Sequence, residues 1–144
     1  MTDAVTLTEV KRLDAATADV LARIHEESAV AAYAHIFDTP IPREESRERW
    51  QSYGGHVVLA QSQVETVGFV AWHGDRLDAL YVLPSAAKRG VGSALIAAAT
   101  GAIRLWVLEE NSQARKFYTD HGWRQSGKTP TVYTGTREVE YVRD

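Results

Sequence analysis

The chain has 144 residues, of which 44% are hydrophobic and 24% charged, the balance of one globular domain. The absence of cysteine excludes a disulfide scaffold, a cysteine nucleophile and a cysteine-ligated zinc site. With 16 basic and 19 acidic residues the net charge is −3, so we expect no binding to nucleic acid. We see neither an apolar run of about 18 residues nor a signal-peptide pattern, and we therefore expect a cytoplasmic protein without membrane contact.

The first half of the chain predicts a strand and two helices, followed by three strands. Residues 5–10 alternate as a short strand does, and after Asp14 apolar residues recur every three or four positions as far as residues 36–37. Pro42 suits the first turn of a second, polar helix with Trp50 as its inward-facing residue. Three short apolar segments separated by turn-prone residues then predict an antiparallel meander: residues 56–61, 66–73 and 76–83.

The second half predicts alternating helices and strands. The helices are expected at residues 91–99 and 112–121, and the strands at 103–108 and 138–142. A Thr-rich stretch, residues 129–136, is expected to be a loop between two late strands. This order predicts an α/β fold with a mixed sheet and helices on both of its faces. An exposed last strand would offer an edge for pairing in a homodimer.

A turn between residues 81 and 95 has the pattern of a phosphate-binding site. A strand ends there, Gly90 and Gly92 interrupt the turn, and a helix begins. Backbone N–H groups at a helix start lack partners, the helix dipole favours an anion beside them, and glycine lets the anion approach closely. Lys88 and Arg89 add positive charge. The alternative is an ordinary helix start with two turn glycines and two solvated cations.

Residues 105–123 form a second segment with functional candidates. Asn111 follows a strand, and it suits either the cap of the next helix or a hydrogen bond to an amide-bearing ligand. Within that helix the spacing of Phe117 predicts a core residue. Tyr118 lies one position further round, either as an amphipathic core tyrosine or with its hydroxyl at the edge of a cleft.

Together the two segments resemble the GCN5-related N-acetyltransferase (GNAT) superfamily. The acetyl-CoA turn of that family reads roughly V-x-P-x-x-Q/R-x-x-G-x-G/A, and this chain matches it at Val82, Pro84, Gly90 and Gly92. The second family motif reads roughly L-x-V-x-x-x-N-x-x-A-x-x-F-Y-x-x-x-G-F. This chain matches it, with tryptophan as the last aromatic, at Leu105, Val107, Asn111, Ala114, Phe117, Tyr118, Gly122 and Trp123. The order of elements is also similar to that fold over nearly the whole chain.

The resemblance implies a single GNAT-like domain over residues 1–144, with a mostly antiparallel central sheet flanked by helices. It implies acetyl-CoA as co-substrate and transfer of the acetyl group to a primary amine of a small molecule or peptide, by direct attack in a ternary complex. The alternative on the same fold is a non-catalytic domain that binds or senses acyl-CoA. No metal is expected, because the five histidines show no metal-ligand spacing.

The resemblance also assigns residues to the acetyl-CoA site. Backbone groups of Leu80 and Val82 are expected to hold the pantetheine arm and the acetyl carbonyl. Asn111 is expected to contact pantetheine, and Phe117 and Tyr118 are expected to line the site, with Tyr118 facing the sulfur. The pyrophosphate is expected in the turn formed by Lys88, Arg89, Gly90, Val91, Gly92 and Ser93.

Two side chains are candidates for proton transfer. A tyrosine hydroxyl can protonate the departing CoA thiolate, and the resemblance makes Tyr118 the candidate acid. Some relatives place a glutamate base on the strand before the turn, where this chain has Arg76. Asp78, two residues further on, is therefore the candidate base, with His73 and Glu109 as alternatives.

The chain departs from the family pattern at two points. Ala87 replaces the family's Gln or Arg, which removes one side-chain contact, and only twelve residues separate Gly92 from Leu105, which predicts a short helix. The acceptor is expected to enter near residues 33–42. A cationic amine would suit this region, although an ordinary solvated loop explains the same composition; the residues that make it polar and somewhat acidic are His35, Asp38, Glu44 and Glu45.

A competing motif lies at residues 122–129, which fit the Walker A pattern G-x-x-x-x-G-K-[ST]. A Walker A loop needs a strand before it and a helix after it, whereas here a predicted helix precedes the motif and Pro130 follows it. We therefore reject a nucleoside triphosphatase.

Overall fold

The computed structural model of the protein describes residues 5–33, 43–87, 89–133 and 136–144. In chain order the elements are the strand β1 (Thr6–Glu9), the helices α1 (Ala15–Tyr33) and α2 (Arg43–Gln51), the strands β2 (His56–Gln61), β3 (Thr66–His73) and β4 (Arg76–Val82), a 3-10 turn (Pro84–Ala86), α3 (Val91–Ala98), β5 (Arg104–Leu108), α4 (Ser112–Asp120), β6 (Arg124–Gln125), β7 (Thr131–Tyr133) and β8 (Thr136–Val142). Outside the described residues lie the predicted helix end at residues 36–37, Pro42, most of the expected acceptor entrance and Lys88.

The eight strands of the described chain form one mixed sheet in the order β1-β2-β3-β4-β5-β8-β6, and β7 pairs with β8. Neighbouring strands are antiparallel except β4 and β5, which run parallel. The chain passes through α3 between these two strands, as a parallel connection requires. The predicted mixed sheet, mostly antiparallel and with a three-strand meander at its centre, is confirmed.

Helices cover both faces of the sheet, as predicted. On one face α1 and α2 bury Leu21 and Trp50 together with Phe69 of β3, and we call this cluster the α1–α2 core. On the other face Leu95 of α3 and Leu105 of β5 belong to a second cluster, the α3–α4 core. Removing these apolar side chains from water is the main force that holds the layers together. None of the described helices is both long enough and apolar enough to cross a bilayer.

The helix α3 has eight residues, which confirms the short helix predicted from the spacing of the two motifs. It ends one residue before the predicted end, because Ala99 has left helical geometry with φ −82° and ψ 62°. A helix of this length rises about 12 Å and carries the chain back towards the start of β4, where β5 pairs.

Two predictions about the C-terminal part are wrong. Residues 131–133, inside the predicted loop, form β7 and pair with β8, which begins at Thr136 rather than at residue 138. Threonine, valine and tyrosine favour strands, and here this preference outweighs the nearby proline and glycine. β8 is also not an edge strand, because β5 lies on one side of it and β6 and β7 on the other. Its backbone is therefore not available for strand pairing in a dimer.

The pH dependence of stability should report on His25 of α1. Its ring stacks on Tyr81 with 4.6 Å between the ring centroids. Burial lowers the pKa of His25 to about 4, and the charge of Arg49 acts in the same direction. The unfolded chain, with an ordinary histidine value near 6.5, binds the proton first, so stability falls as the pH drops from about 7 towards 4. We expect this group to remove about 2 kcal/mol from the free energy of unfolding between pH 7.5 and pH 5.0.

Urea unfolding at these two pH values measures the loss. The variant His25→Gln should lose about 2 kcal/mol less than the wild type over the interval. The control His73→Gln, changed at an exposed histidine, should behave as the wild type. The same pH dependence in His25→Gln and in the wild type would contradict this account.

Candidate active site

The strands β4 and β5 separate soon after they begin, and this opens a gap in the sheet. They are paired only at the first two residues of each strand, whereas β4 stays paired with β3 as far as Val82. Asp78 is an extra residue in β4 relative to β3, and such a bulge increases the local twist. Beyond Leu77, no strand in the described part of the chain pairs with the β5 side of β4.

Backbone polar groups of Leu80 and Val82 face this gap. The N–H of Leu83 donates to the carbonyl of Val67 in β3 at 2.8 Å. In an antiparallel strand the N–H and C=O groups of successive residues point alternately towards and away from the partner strand. Since Leu83 points towards β3, Leu80 and Val82 point their N–H and C=O groups away from it. The Ser28 hydroxyl of α1 donates to the Val82 carbonyl at 3.1 Å. The N–H of Val82 and both groups of Leu80 are left facing the gap, where an extended ligand can bind as an added strand.

Beside the gap lies the start of α3, where two glycines serve different purposes. Gly90 is the N-cap residue and has φ +81°, a left-handed conformation that residues with a Cβ rarely adopt. A Cβ on Gly92 would lie 3.2 Å from the Phe117 ring, so glycine permits the close packing of α3 on α4. The N-cap glycine has no side-chain acceptor, and the N–H groups of Val91, Gly92 and Ser93 have no carbonyl partner within the helix. This end of α3 therefore has the geometry of an anion site.

The side chains expected beside this turn are partly described. Arg89 is exposed directly before Gly90, and Lys88 lies outside the described residues. Ala87, in place of the family's Gln or Arg, is exposed and extended after the 3-10 turn. The candidate anion site consists of backbone N–H groups, and the described cation nearest to it in the chain is Arg89.

The helix α4, which follows β5, holds Asn111 and Tyr118. Asn111 is buried and caps the helix, because its Oδ1 accepts a hydrogen bond from the N–H of Ala114 at 3.1 Å. Tyr118 is 8% exposed, and its ring packs edge-on against Phe117 and Trp123. Asn111 thus caps α4, and the ring of Tyr118 packs in the α3–α4 core with the half-buried Phe117 against it.

His121 is a residue of this site that the sequence analysis missed. It is the C-cap residue of α4, and its Nε2 lies 2.7 Å from the Ser93 hydroxyl in the first turn of α3. Its Nδ1 lies 2.7 Å from the Phe117 carbonyl, and the centroids of the His121 and Phe117 rings are 4.1 Å apart. The spacing of four residues from Phe117 places both on one side of α4, which is the signal that the sequence offered.

The candidate base, Asp78, is largely buried and has two partners. Its Oδ2 accepts a hydrogen bond from the Tyr53 hydroxyl, and its Oδ1 contacts Nε of Arg76, each at 2.6 Å. Burial and the hydrogen bond to Asp78 raise the pKa of Tyr53, which keeps its phenol protonated as the donor. The alternative bases lie elsewhere, since His73 is exposed at the end of β3 and Glu109 forms a surface ion pair.

The Walker A-like residues do not form a phosphate loop. Gly122 follows the end of α4, the short strand β6 comes next, and the strand β7 follows where a Walker A motif needs a helix. Lys128 lies 3.5 Å from the carboxylate of Glu140, whose side chain is 2% exposed in β8. The lysine of the pattern therefore partners a buried acid of the same sheet.

Residues 53–125, just over half of the chain, match the sequence family described as the acetyltransferase (GNAT) domain. The chain belongs to the GNAT acetyltransferase family. The predicted family is thus confirmed, and solved structures share the fold of this GNAT protein. The apo form of YjaB from Escherichia coli gives a TM-score of 0.76 at 22% identity, over 96% of this chain and 97% of that one. The PaiA N-acetyltransferase of Thermoplasma acidophilum, in complex with coenzyme A, gives a TM-score of 0.70 at 18% identity, over 95% of this chain and 98% of that one. Arabidopsis thaliana NAA60, in complex with a bisubstrate analogue, gives a TM-score of 0.63 at 17% identity, over 95% of this chain and 97% of that one.

Removing the cap of α4 should destabilise this GNAT protein. The variant Asn111→Ala loses the oxygen that accepts from Ala114, and we expect it to lose about 1 kcal/mol of unfolding free energy. Asn111→Asp keeps an oxygen at the same place and should retain nearly all of the stability. Urea unfolding of the three proteins at pH 7.5 measures both changes. Equal stability of the two variants would show that the cap is not what Asn111 contributes.

Proposed function

We propose that this GNAT protein transfers the acetyl group of acetyl-CoA to a primary amine of a small molecule or a peptide. The observation that carries the proposal is the gap between β4 and β5, which adjoins the anion site at the start of α3. The two are neighbours, because the Val82 side chain lies 4.0 Å from the position of a Cβ on Gly92. An extended, amide-containing arm that ends in a pyrophosphate fits this order of groups, and CoA has that shape.

In this proposal the pantetheine arm lies in the gap as an added strand. Its amide groups form hydrogen bonds with the N–H of Val82 and with the backbone of Leu80. The pyrophosphate binds at the start of α3, where the helix dipole and the nearby Arg89 favour negative charge. A CoA ligand is supported by the PaiA N-acetyltransferase of Thermoplasma acidophilum, which shares the fold and is in complex with coenzyme A.

Acetyl transfer needs a neutral amine and a leaving group that can accept a proton. An alkyl amine with a pKa near 10.4 costs about 4–5 kcal/mol to deprotonate at pH 7. The amine nitrogen then attacks the thioester carbon, so that a C–N bond forms and the C–S bond breaks. The chain has no cysteine to carry the acetyl group, which favours direct attack in a ternary complex over an acetyl-cysteine intermediate.

Two side chains are assigned to proton transfer, one as the acid and one as the base. Tyr118 donates its hydroxyl proton to the departing thiolate, since phenols and thiols have neighbouring pKa values, near 10 and 8.5. Asp78 takes the proton of the amine, directly or through water, and the 2.6 Å hydrogen bond from Tyr53 orients its carboxylate. Arg76, at the place of the family's glutamate, holds Asp78 from the other side.

The acceptor is assigned to the face of the sheet opposite α3 and α4. Val139 and Tyr141 of β8 belong to the α3–α4 core, so the alternation of the strand turns Glu138 to the opposite face. Asp78 lies on that face as well, since its partner Tyr53 packs against the α1–α2 core. Carboxylates on this face support a cationic amine as the acceptor.

Calorimetric titration with acetyl-CoA, and with CoA alongside, tests the donor site. We expect saturable binding by the wild type and binding at least about 100-fold weaker by Gly92→Glu. The new side chain meets Phe117 and places a negative charge where the pyrophosphate binds. Gly54→Glu is the matched control and should bind as the wild type, because a Cβ at Gly54 meets nothing within 4 Å and the change in charge is the same.

Absence of wild-type binding at millimolar acetyl-CoA would overturn the proposal, as would full binding by Gly92→Glu. After binding is measured, a panel of amines is screened for release of the free CoA thiol. Turnover with any amine excludes a non-catalytic acyl-CoA-binding domain, and binding without turnover on the whole panel would favour that alternative.

The variant Tyr118→Phe tests the assignment of the acid, with an acceptor taken from the screen. We expect kcat to fall by about 100-fold while acetyl-CoA binding changes little, because phenylalanine keeps the packed ring and lacks the hydroxyl. Tyr141→Phe removes a hydroxyl from a tyrosine of the same core and should keep its kcat. Wild-type activity in Tyr118→Phe would refute the acid without affecting the donor site.

A further inference from the structure

We propose that His121 is a positioning residue that makes pyrophosphate binding proton-linked: when protonated, it turns the Ser93 hydroxyl into a hydrogen-bond donor for a phosphate oxygen. This inference rests on the proposed function, because it places the pyrophosphate of CoA at the start of α3. It adds a side chain and a pH dependence that the backbone N–H groups alone do not provide.

The imidazole of His121 is fixed between the two helices that form the site. On α4 its Nδ1 is 2.7 Å from the Phe117 carbonyl, and its ring lies against the Phe117 ring. On α3 its Nε2 is 2.7 Å from Oγ of Ser93, the third residue of that helix. The Phe117 ring also lies against Gly92. The first turn of α3 therefore contacts α4 at two places, through Gly92 on Phe117 and through Ser93 on His121.

The partner of Nδ1 determines the tautomer of the neutral ring. A backbone carbonyl can only accept, so Nδ1 must carry a hydrogen whenever this hydrogen bond is made. The neutral ring then has a bare Nε2, which can only accept. The Ser93 hydroxyl must therefore donate its single hydrogen to His121, and it turns oxygen lone pairs towards any phosphate at the start of α3.

Protonation of the ring reverses the hydrogen bond to Ser93. Nε2 then carries a hydrogen and donates it to Oγ, which frees the hydroxyl hydrogen for a phosphate oxygen. The ring also gains a positive charge next to the anion. Both changes favour a bound pyrophosphate, so by linkage the binding of a pyrophosphate takes up a proton.

Among the described residues, charged side chains precede Ser93 in the chain and stand on either side of His121. Arg89 precedes α3 by two residues and adds positive charge on that side. On α4 the adjacent Asp120 is paired with Lys116 at 2.7 Å. After the turn that follows His121, Arg124 pairs with Asp144 at 3.2 Å. Both carboxylates therefore have cationic partners of their own.

Titration calorimetry with 3′-dephospho-CoA at pH 6.0 and pH 8.0 tests the inference. This probe keeps the pyrophosphate, whose charge is constant over the interval, and lacks the 3′-phosphate, which titrates near pH 6. We expect the wild type to bind about 10-fold more tightly at pH 6.0. Repeating the titration in buffers with different ionisation enthalpies should show uptake of up to one proton per ligand.

Three variants separate this role from a structural one. His121→Gln keeps polar groups but does not titrate, so its affinity should be the same at both pH values and no proton should be taken up. Ser93→Ala should lose most of the gain in affinity that the wild type shows between pH 8.0 and pH 6.0. His56→Gln, changed at an exposed histidine stacked on Trp72, should keep the wild-type pH dependence.

The outcomes distinguish this inference from the proposed function. Binding of dephospho-CoA with no pH dependence in the wild type, or with the wild-type pH dependence in His121→Gln, would overturn the role of His121 and leave the donor site in place. No binding of either dephospho-CoA or CoA at both pH values would overturn the donor site, and the role of His121 with it.

Discussion

The separation of β4 from β5 is the constraint on which the whole site depends. A strand inside a sheet usually pairs with both neighbours, and a buried backbone group left without a partner costs about 1–3 kcal/mol. Beyond Leu77, β4 pairs only with β3 among the described strands, so a row of its polar groups faces the gap. Ser28 of α1 satisfies one of them, the carbonyl of Val82. The proposed pantetheine arm supplies partners for the others, and the site is then a place in the sheet for one more strand.

The two halves of the sheet stay together because helices join them on one face. The α3–α4 core includes Val70 of β3 and Leu105 of β5, so it continues beneath the gap. Gly92 lets α3 pack closely on Phe117 of α4. After β8, Arg143 donates to the carbonyl of Ala102 at 2.8 Å and so ties the last strand to the segment that follows α3. Packing on this face holds the strands where hydrogen bonds between β4 and β5 are missing.

Most elements could be predicted from the sequence because helical and strand periods are local properties. The glycines of the first motif located the start of α3, and Gly90 has the positive φ that such a glycine permits. Local periodicity could not predict the gap, since β4 separates from β5 at a bulge, and only the family resemblance pointed to the backbone of Leu80 and Val82. Nor could it predict the hydrogen bonds from Tyr53 to Asp78 and between Ser93 and His121, which join residues 25 and 28 positions apart. The Walker A-like motif shows the converse, because its letters are correct and its structural context is not.

The helix α4 connects the proposed phosphate site with the proposed acid. Phe117 and His121 contact the first turn of α3, and Tyr118 follows Phe117 directly in the chain. In the proposed complex the pyrophosphate lies far from the reacting carbon of the donor, yet the side chains assigned to them, His121 and Tyr118, lie within one turn at the end of α4. Binding energy gained at the phosphates can therefore be used to hold the acid in place, and a shift of about 1 Å in such a group costs about 100-fold in rate. In the proposed mechanism, a contact that sets the distance between α3 and α4 therefore affects the rate, although neither Gly92 nor His121 needs to touch the reacting atoms.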